Sequence, residues 1–198
     1  MLETFYKLGF HHLIESGAWD HQLFLATIAL AYAPVQWRKW IALATAFAVG
    51  HTTAIAAATL GWVPLRLPWV EPTIAVSIVV MALLELVLLR QDPLRKSKAS
   101  YLLLLGLILA FGFVHGLGFG SAFVPLIGME EGAGRIISMF SAFTLGVEVA
   151  QLLILGVFWI LAFLLFDLLQ WSPLQLRKSL LFIIALTGAW ICWGSLIA

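Results

Sequence analysis

The chain has 198 residues, of which 63% are hydrophobic and 11% are charged, and its mean hydropathy is +1.04. Soluble domains carry roughly a quarter charged residues, so this composition excludes an ordinary soluble domain and indicates an all-α bundle of membrane-spanning helices. The net charge of +1 and the lack of a basic tract argue against nucleic-acid binding, and the single cysteine, Cys192, excludes an internal disulfide or a multi-cysteine metal site.

In chain order, the apolar stretches predict about six transmembrane helices in a single domain, residues 1–198. Residues 1–16 mix charged and apolar side chains without the pattern of a cleavable signal, which predicts a short amphipathic segment at the membrane interface. The fifth predicted span is too long for one straight crossing, so we expect it to tilt or to extend beyond the membrane. The spans are predicted at about 19–35, 40–62, 70–90, 101–128, 136–169 and 179–198.

The basic residues of the connecting segments predict the orientation, because cytoplasmic loops carry an excess of Lys and Arg. One side of the predicted bundle holds eight such residues and the other side holds three. We therefore expect the eight on the cytoplasmic side of a bacterial inner membrane, with both termini on the outer, periplasmic side. The eight are Arg38, Lys39, Arg90, Arg95, Lys96, Lys98, Arg177 and Lys178, and the three are Lys7, Arg66 and Arg135.

Ionisable side chains within the spans are costly in a bilayer and mark functional sites by default. His115 stands in a glycine-rich apolar stretch, AFGFVHGLGFGSAF. At helical rise, His51, His115 and Glu148 are predicted at a common depth, about a dozen residues below the outer ends of their spans. This pattern predicts an intramembrane metal site with an acidic entrance on the outer side. Nearer that side lie Asp20, His21 and Glu71.

The candidate ligands are imidazoles and carboxylates, a set that suits Zn, Ni, Co, Fe or Cu(II) without distinguishing among them. One face of the fifth span carries further polar residues at helical spacing, which could line a path for the ion or orient the ligands. Thr52, Thr53 and Ser77 could do the same from their own helices. The residues of that face are Ser141, Thr144, Glu148 and Gln151.

Other interpretations remain open for several of these residues. His51 or His115 could be a packed histidine that is bonded to a backbone carbonyl. His12 and its neighbour could be interfacial residues only. Glu85 lies a little over one helical turn from Arg90, so the two could form a structural ion pair.

Five segments carry a recurring set of motifs: GFHHLIESGAWDHQLF (9–24), FAVGHT (47–52), VEPTIAVSI (70–78), FGFVHGLGF (111–119) and FTLGVEVAQ (143–151). In this order they resemble the motifs of the HupE/UreJ family of bacterial membrane proteins. The resemblance implies a multi-span, permease-like protein associated with nickel or cobalt uptake for hydrogenase or urease. It carries the family's ligand signatures onto Asp20, His21, His115 and Glu148, whereas the spacings to His12 and Glu85 depart from the family pattern by one residue.

Together these observations favour transport of a divalent metal ion, nickel or cobalt, with zinc as a further candidate. An alternative is a membrane-embedded hydrolase, in which a Zn-bound water is activated with Glu148 as the general base. A third is a non-catalytic scaffold. Expected partners are the metal ion and membrane lipid, with a second copy of the chain or a metalloenzyme-maturation protein as further candidates. The predicted ligands are Asp20, His21, His51, His115 and Glu148, and the predicted entrance or supporting residues are His12, Glu71, Ser77, Thr144 and Gln151.

Overall fold

The computed structural model describes residues 1–15, 17–64, 67–89, 97–127, 133–165 and 172–197. The regular structure in these ranges is entirely helical, which confirms the all-α prediction. A short 3-10 turn, Pro34–Gln36, leads into the third helix, and another, Val124–Leu126, follows the fifth. The helices are α1 (Leu2–Ile14), α2 (Trp19–Ala31), α3 (Trp37–Thr59), α4 (Val70–Leu88), α5 (Lys98–Phe123), α6 (Ala133–Phe163) and α7 (Pro173–Ile197).

Five helices of the described ranges are long and apolar enough to cross a membrane, and they correspond to the second to sixth predicted spans. The first predicted span, about 19–35, is instead the 13-residue α2. At 1.5 Å per residue, such a helix is about 20 Å long, which is less than the roughly 30 Å of a hydrocarbon core. It ends early because Tyr32 and Ala33 take extended backbone angles before Pro34, as a residue preceding proline prefers.

The segment that was expected at the membrane interface forms α1, and this helix packs along α6. A Cβ atom added to Gly9 would collide with the carbonyl oxygen of Phe143, and one added to Gly146 would collide with the carbonyl oxygen of Tyr6. Small residues therefore let the two backbones touch, as they do between transmembrane helices. The buried residues Phe5, Gly9 and Leu13 mark the contacting face of α1.

The helices α3 and α5 form a second pair whose backbones touch, and both run in the same direction. A Cβ atom on Gly112 would collide with the carbonyl oxygen of Phe47, and one on Gly116 with that of His51. The glycines beside His115 thus have a structural reason, since any larger residue would push the helices apart. Their contact brings His51 and His115 to the same level of the bundle.

The end of α2 and the starts of α3, α5 and α7 gather at one end of the bundle. The rings of Tyr32 and Tyr101 lie 6.3 Å apart, the indole of Trp40 donates to the carbonyl of Tyr32 at 3.3 Å, and Arg177 donates to the carbonyl of Leu30. Basic residues of the helix starts and their approaches, Arg38, Lys39, Lys98, Arg177 and Lys178, lie at this end. Of the other basic residues of the predicted orientation, Lys7 of α1 and Arg135 of α6 are described, whereas Arg66, Arg90, Arg95 and Lys96 lie outside the described residues.

Two oppositely charged side chains are buried near that end. Glu85 of α4 is 0% exposed and Arg177 of α7 is 5% exposed. The two interact electrostatically, and Glu85 also acts on Tyr32. The partner considered for Glu85 from the sequence, Arg90, lies outside the described residues, whereas Arg177 links Glu85 to the last turn of α2.

Candidate metal centre

A cavity of about 290 Å³ lies between the connection from α1 to α2, the first turns of α2 and α4, and the last third of α5. It occupies the opposite end of the bundle from Glu85 and Arg177. Much of its wall can bind or attract a cation, because it combines imidazoles with carboxyl groups. The polar residues that line it are His12, Glu15, Asp20, His21, Glu71 and His115.

Histidines from four helices meet at the inner side of this cavity. One ring nitrogen from each of His12, His21 and His51 can be chosen so that all three atoms lie within 4.8 Å of one another. The ring of His115 lies 5.3 Å from that of His21, between centroids. His21, His51 and His115 are 3%, 0% and 1% exposed. Three buried imidazoles from α2, α3 and α5 and the partly exposed His12 of α1 therefore form one cluster, which we call the histidine cluster.

Two of these rings are oriented by a hydrogen bond at Nδ1. The Nδ1 atom of His21 lies 2.9 Å from Oδ1 of Asp20, and that of His115 lies 2.7 Å from the carbonyl oxygen of Phe111. A carboxylate or carbonyl oxygen can only accept, so the neutral rings carry their proton on Nδ1. Their Nε2 atoms then hold a free lone pair, which is the arrangement of a metal-binding histidine whose orientation is set by a neighbouring acceptor.

Five of the six ring nitrogens that remain have no hydrogen-bond partner among the described residues. They are Nε2 of His12, His21 and His115 and both ring nitrogens of His51. Leaving one buried polar atom unsatisfied costs about 1–3 kcal/mol, so five in one place require an explanation. A bound cation would account for four of them, one from each ring, because it accepts the lone pairs that no protein group uses. A packed histidine bonded to a carbonyl accounts for only one nitrogen of His115 and for none of His51.

Aromatic rings surround the histidine cluster and close it on the side away from the cavity. Phe24 lies about one helical turn after His21 in α2, and Phe47 lies about one turn before His51 in α3. The ring of Phe24 lies 5.3 Å from that of His115, and the ring of Phe47 lies 5.0 Å from it. These two phenylalanine rings lie 4.9 Å apart. Phe119 covers His12 at 3.9 Å between centroids. Such walls exclude water and strengthen the interaction between a cation and its ligands.

The structure places Glu148 away from the histidine cluster. Its carboxyl group forms a hydrogen bond with Thr45 of α3. Thr45 lies six residues before His51, or about 9 Å along the helix. The residue of α6 at the level of His51 is Thr144. The hydroxyl of Thr144 lies 2.9 Å from that of Thr52. The common depth predicted for Glu148 thus differs from its observed position by more than one turn.

The remaining predicted residues are distributed between the cavity and the helix interfaces. Glu71 and Asp20 line the cavity, and Asp20 is the hydrogen-bond partner of His21. Ser77 of α4 donates within its own helix, to the carbonyl of Ile74 at 2.6 Å. Gln151 is fully buried, and its amide nitrogen and oxygen have no hydrogen-bond partner among the described residues.

The sequence places His12 among the entrance or supporting residues and does not single out Glu15. The structure brings His12 into the histidine cluster and Glu15 to the cavity wall. Both precede Gly17, which lies in the short connection between α1 and α2. This connection is the feature of the sequence that could have indicated the two residues, because a short turn between helices lets residues on either side of it converge on one site.

Comparison with known proteins identifies one family. The family model described as HupE / UreJ protein matches residues 1–193 of the chain. No curated protein and no solved structure gives a significant match. The matched range includes every histidine of the cluster and all but the last few residues of α7.

Proposed function

The chain belongs to the HupE/UreJ family of membrane proteins, and from this premise we propose that it carries a divalent metal ion, nickel or cobalt, across the bacterial inner membrane. The observation that carries the proposal is the set of unpartnered ring nitrogens at the inner side of a cavity with an acidic wall. Imidazole ligands without thiolate suit these metals.

In the proposed site the ion is held by His12, His21, His51 and His115. Asp20 orients His21 and makes its ring a better donor, as a carboxylate does behind many metal-binding histidines. We place Glu148 outside this ligand set, since its carboxyl group interacts with Thr45, about 9 Å along α3 from His51. The role of a general base in a hydrolase would require Glu148 to lie beside the ion.

The direct ligands of the proposed site are neutral. Four imidazoles suit a divalent transition metal but leave its charge uncompensated by the groups that hold it. A transported ion must bind strongly enough to enter and weakly enough to leave. We propose that this site meets both conditions, with four imidazole ligands and with the carboxylate of Asp20 bonded to His21 instead of to the ion.

The route into the site follows the acidic cavity. Glu15 and Glu71 lie on its wall, where their negative charge raises the local concentration of cations. On the side of the histidine cluster away from the cavity, the rings of Phe24 and Phe47 block the path of the ion. The ion can therefore proceed only after these rings move apart. We therefore regard this conformation as open toward the cavity and closed beyond it, with the cavity on the outer side as the basic residues predict.

The proposal is tested by metal uptake into proteoliposomes that contain purified protein and an internal nickel- or cobalt-sensitive dye. His21→Ala and His115→Ala should abolish uptake, while His11→Ala is a matched control. His11 lies next to His12 in α1 but is exposed and lines a different surface depression. Equal uptake by all four proteins would refute the proposal. A tightly retained, non-exchanging metal without any uptake would instead favour a metal-dependent enzyme.

A further inference from the structure

A second concave surface of the molecule lies far from the histidine cluster, on the seam between α3 and α6. It is a groove of about 420 Å³, lined by Trp37, Trp40, Ile41, Leu152, Leu155, Gly156 and Trp159. We call it the tryptophan groove. It begins at the first turn of α3, at the end of the bundle where the basic residues gather. Ile41 precedes His51 by ten residues, which places the groove about 15 Å from the metal ligands.

The shape of the tryptophan groove is built by identifiable contacts. Trp40 is buried, and its indole is held by the hydrogen bond to the carbonyl of Tyr32, which fixes one wall. Trp37 and Trp159 are about half exposed and form the rims. Gly156 provides the space between them, because a Cβ atom added there would meet nothing within 4 Å. All seven lining residues are apolar apart from the indole nitrogens, so the groove suits a hydrocarbon chain.

A positive charge stands at the end of this groove. The guanidinium of Arg38 lies 5.4 Å from the centroid of the Trp37 ring, on an exposed side chain. Tryptophan belts mark the level of lipid head groups, and a basic residue beside such a belt attracts an anionic head group. A phospholipid has both of the groups that these surfaces suit, a hydrocarbon chain for the groove and a phosphate for Arg38.

We propose that the tryptophan groove is a binding site for an anionic phospholipid. One acyl chain lies along Gly156 between Trp37 and Trp159, and the phosphate pairs with Arg38. The site is independent of the metal ligands, so it can be tested without reference to transport. Loss of lipid binding and loss of metal binding should follow from different substitutions.

The test is native mass spectrometry of the detergent-purified full chain with added phosphatidylglycerol or with phosphatidylcholine of the same chain length. The wild-type protein should retain phosphatidylglycerol about five-fold better, the ratio expected for one basic residue at a membrane surface. Gly156→Leu fills the groove without a clash inside the bundle and should lose retention of both lipids. Arg38→Gln should lose only the preference for the anionic lipid.

The matched control is Gly106→Leu. Gly106 is an exposed glycine of α5 where an added Cβ atom also meets nothing within 4 Å, so the same side chain is added outside the groove. This variant should bind lipid as the wild type does. Equal retention by Gly156→Leu and the wild type, or equal retention of the two lipids by the wild type, would overturn the proposal. A dimeric wild type that Gly156→Leu converts to a monomer would also overturn it and assign the groove to a second copy of the chain.

Discussion

The Oδ1 atom of Asp20 lies 2.9 Å from the Nδ1 atom of His21 and 2.9 Å from the backbone nitrogen of the same residue. One carboxylate oxygen therefore accepts from both donors of the next residue in α2. This double contact holds the His21 ring in place and leaves Nε2 as its ligand atom. It also keeps a negative charge close to the histidine cluster while the direct ligands stay neutral.

We first predict the effect of Asp20→Asn on metal affinity. The amide can still accept from Nδ1 but has no charge, so the His21 ring becomes a weaker donor. Changes behind a ligating histidine typically lower metal affinity about 10–100-fold. Isothermal titration of the purified protein with nickel or cobalt should show this decrease at an unchanged stoichiometry. An unchanged affinity would show that Asp20 does not act on the metal through His21.

The second prediction separates two adjacent histidines. His12→Ala removes a member of the histidine cluster and should reduce the amount of metal that copurifies with the protein. His11→Ala should leave it unchanged, because His11 is exposed on the other side of α1. Elemental analysis of the two variants after identical purification checks this directly. A loss of metal in both would indicate that α1 contributes through its fold and not through His12.

The positions of His51 and His115 could be predicted from the sequence, whereas those of Glu148 and His12 could not. Counting residues from the outer helix ends predicts the levels of α3 and α5 correctly, because both are regular helices that pack in parallel. Residues equally far from those ends therefore lie side by side. For Glu148 the same arithmetic requires the level at which α6 starts, and that level depends on how its 31 residues pack. Composition alone does not supply it.

The sequence indicates only an entrance or supporting role for His12, for a related reason. Residues 1–16 have the composition of an interfacial helix, and nothing in their hydropathy shows that α1 packs along α6. The contact depends on Gly9 and Gly146, which are too far apart in the chain for their pairing to be read from spacing. The resemblance to the HupE/UreJ family, in contrast, could be recognised from the motifs and is confirmed over residues 1–193.

The third prediction concerns the contact between α3 and α5. Gly116→Ala would place a methyl group against the carbonyl oxygen of His51 and 2.8 Å from the Cβ atom of Ala54. Overpacking of this kind costs about 1–3 kcal/mol. Thermal unfolding in detergent should therefore occur at a lower temperature, and metal binding should weaken because His51 and His115 separate. Gly106→Ala, at an open position of the same helix, should leave both unchanged or slightly increase stability.

The fourth prediction concerns the buried pair of Glu85 and Arg177. Arg177→Met removes a guanidinium that is 5% exposed and that interacts electrostatically with Glu85, which is 0% exposed. A substitution that disturbs a buried charge in this way typically costs about 0.5–3 kcal/mol. The substitution also removes the donor to the carbonyl of Leu30 in the last turn of α2. Lys178→Met, at the exposed neighbouring position, should change stability by less than about 0.5 kcal/mol.

The double variant Glu85→Leu with Arg177→Met distinguishes an electrostatic link from independent packing. If the two side chains stabilise one another, the double variant should be less destabilised than the sum of the single variants, because no uncompensated charge remains. Reversible unfolding in mixed micelles gives the free energies for the cycle. Strictly additive losses would contradict the pairing. A positive coupling would show that the end of α2 opposite His21 is held by a charge pair between α4 and α7, so both ends of this short helix depend on a carboxylate.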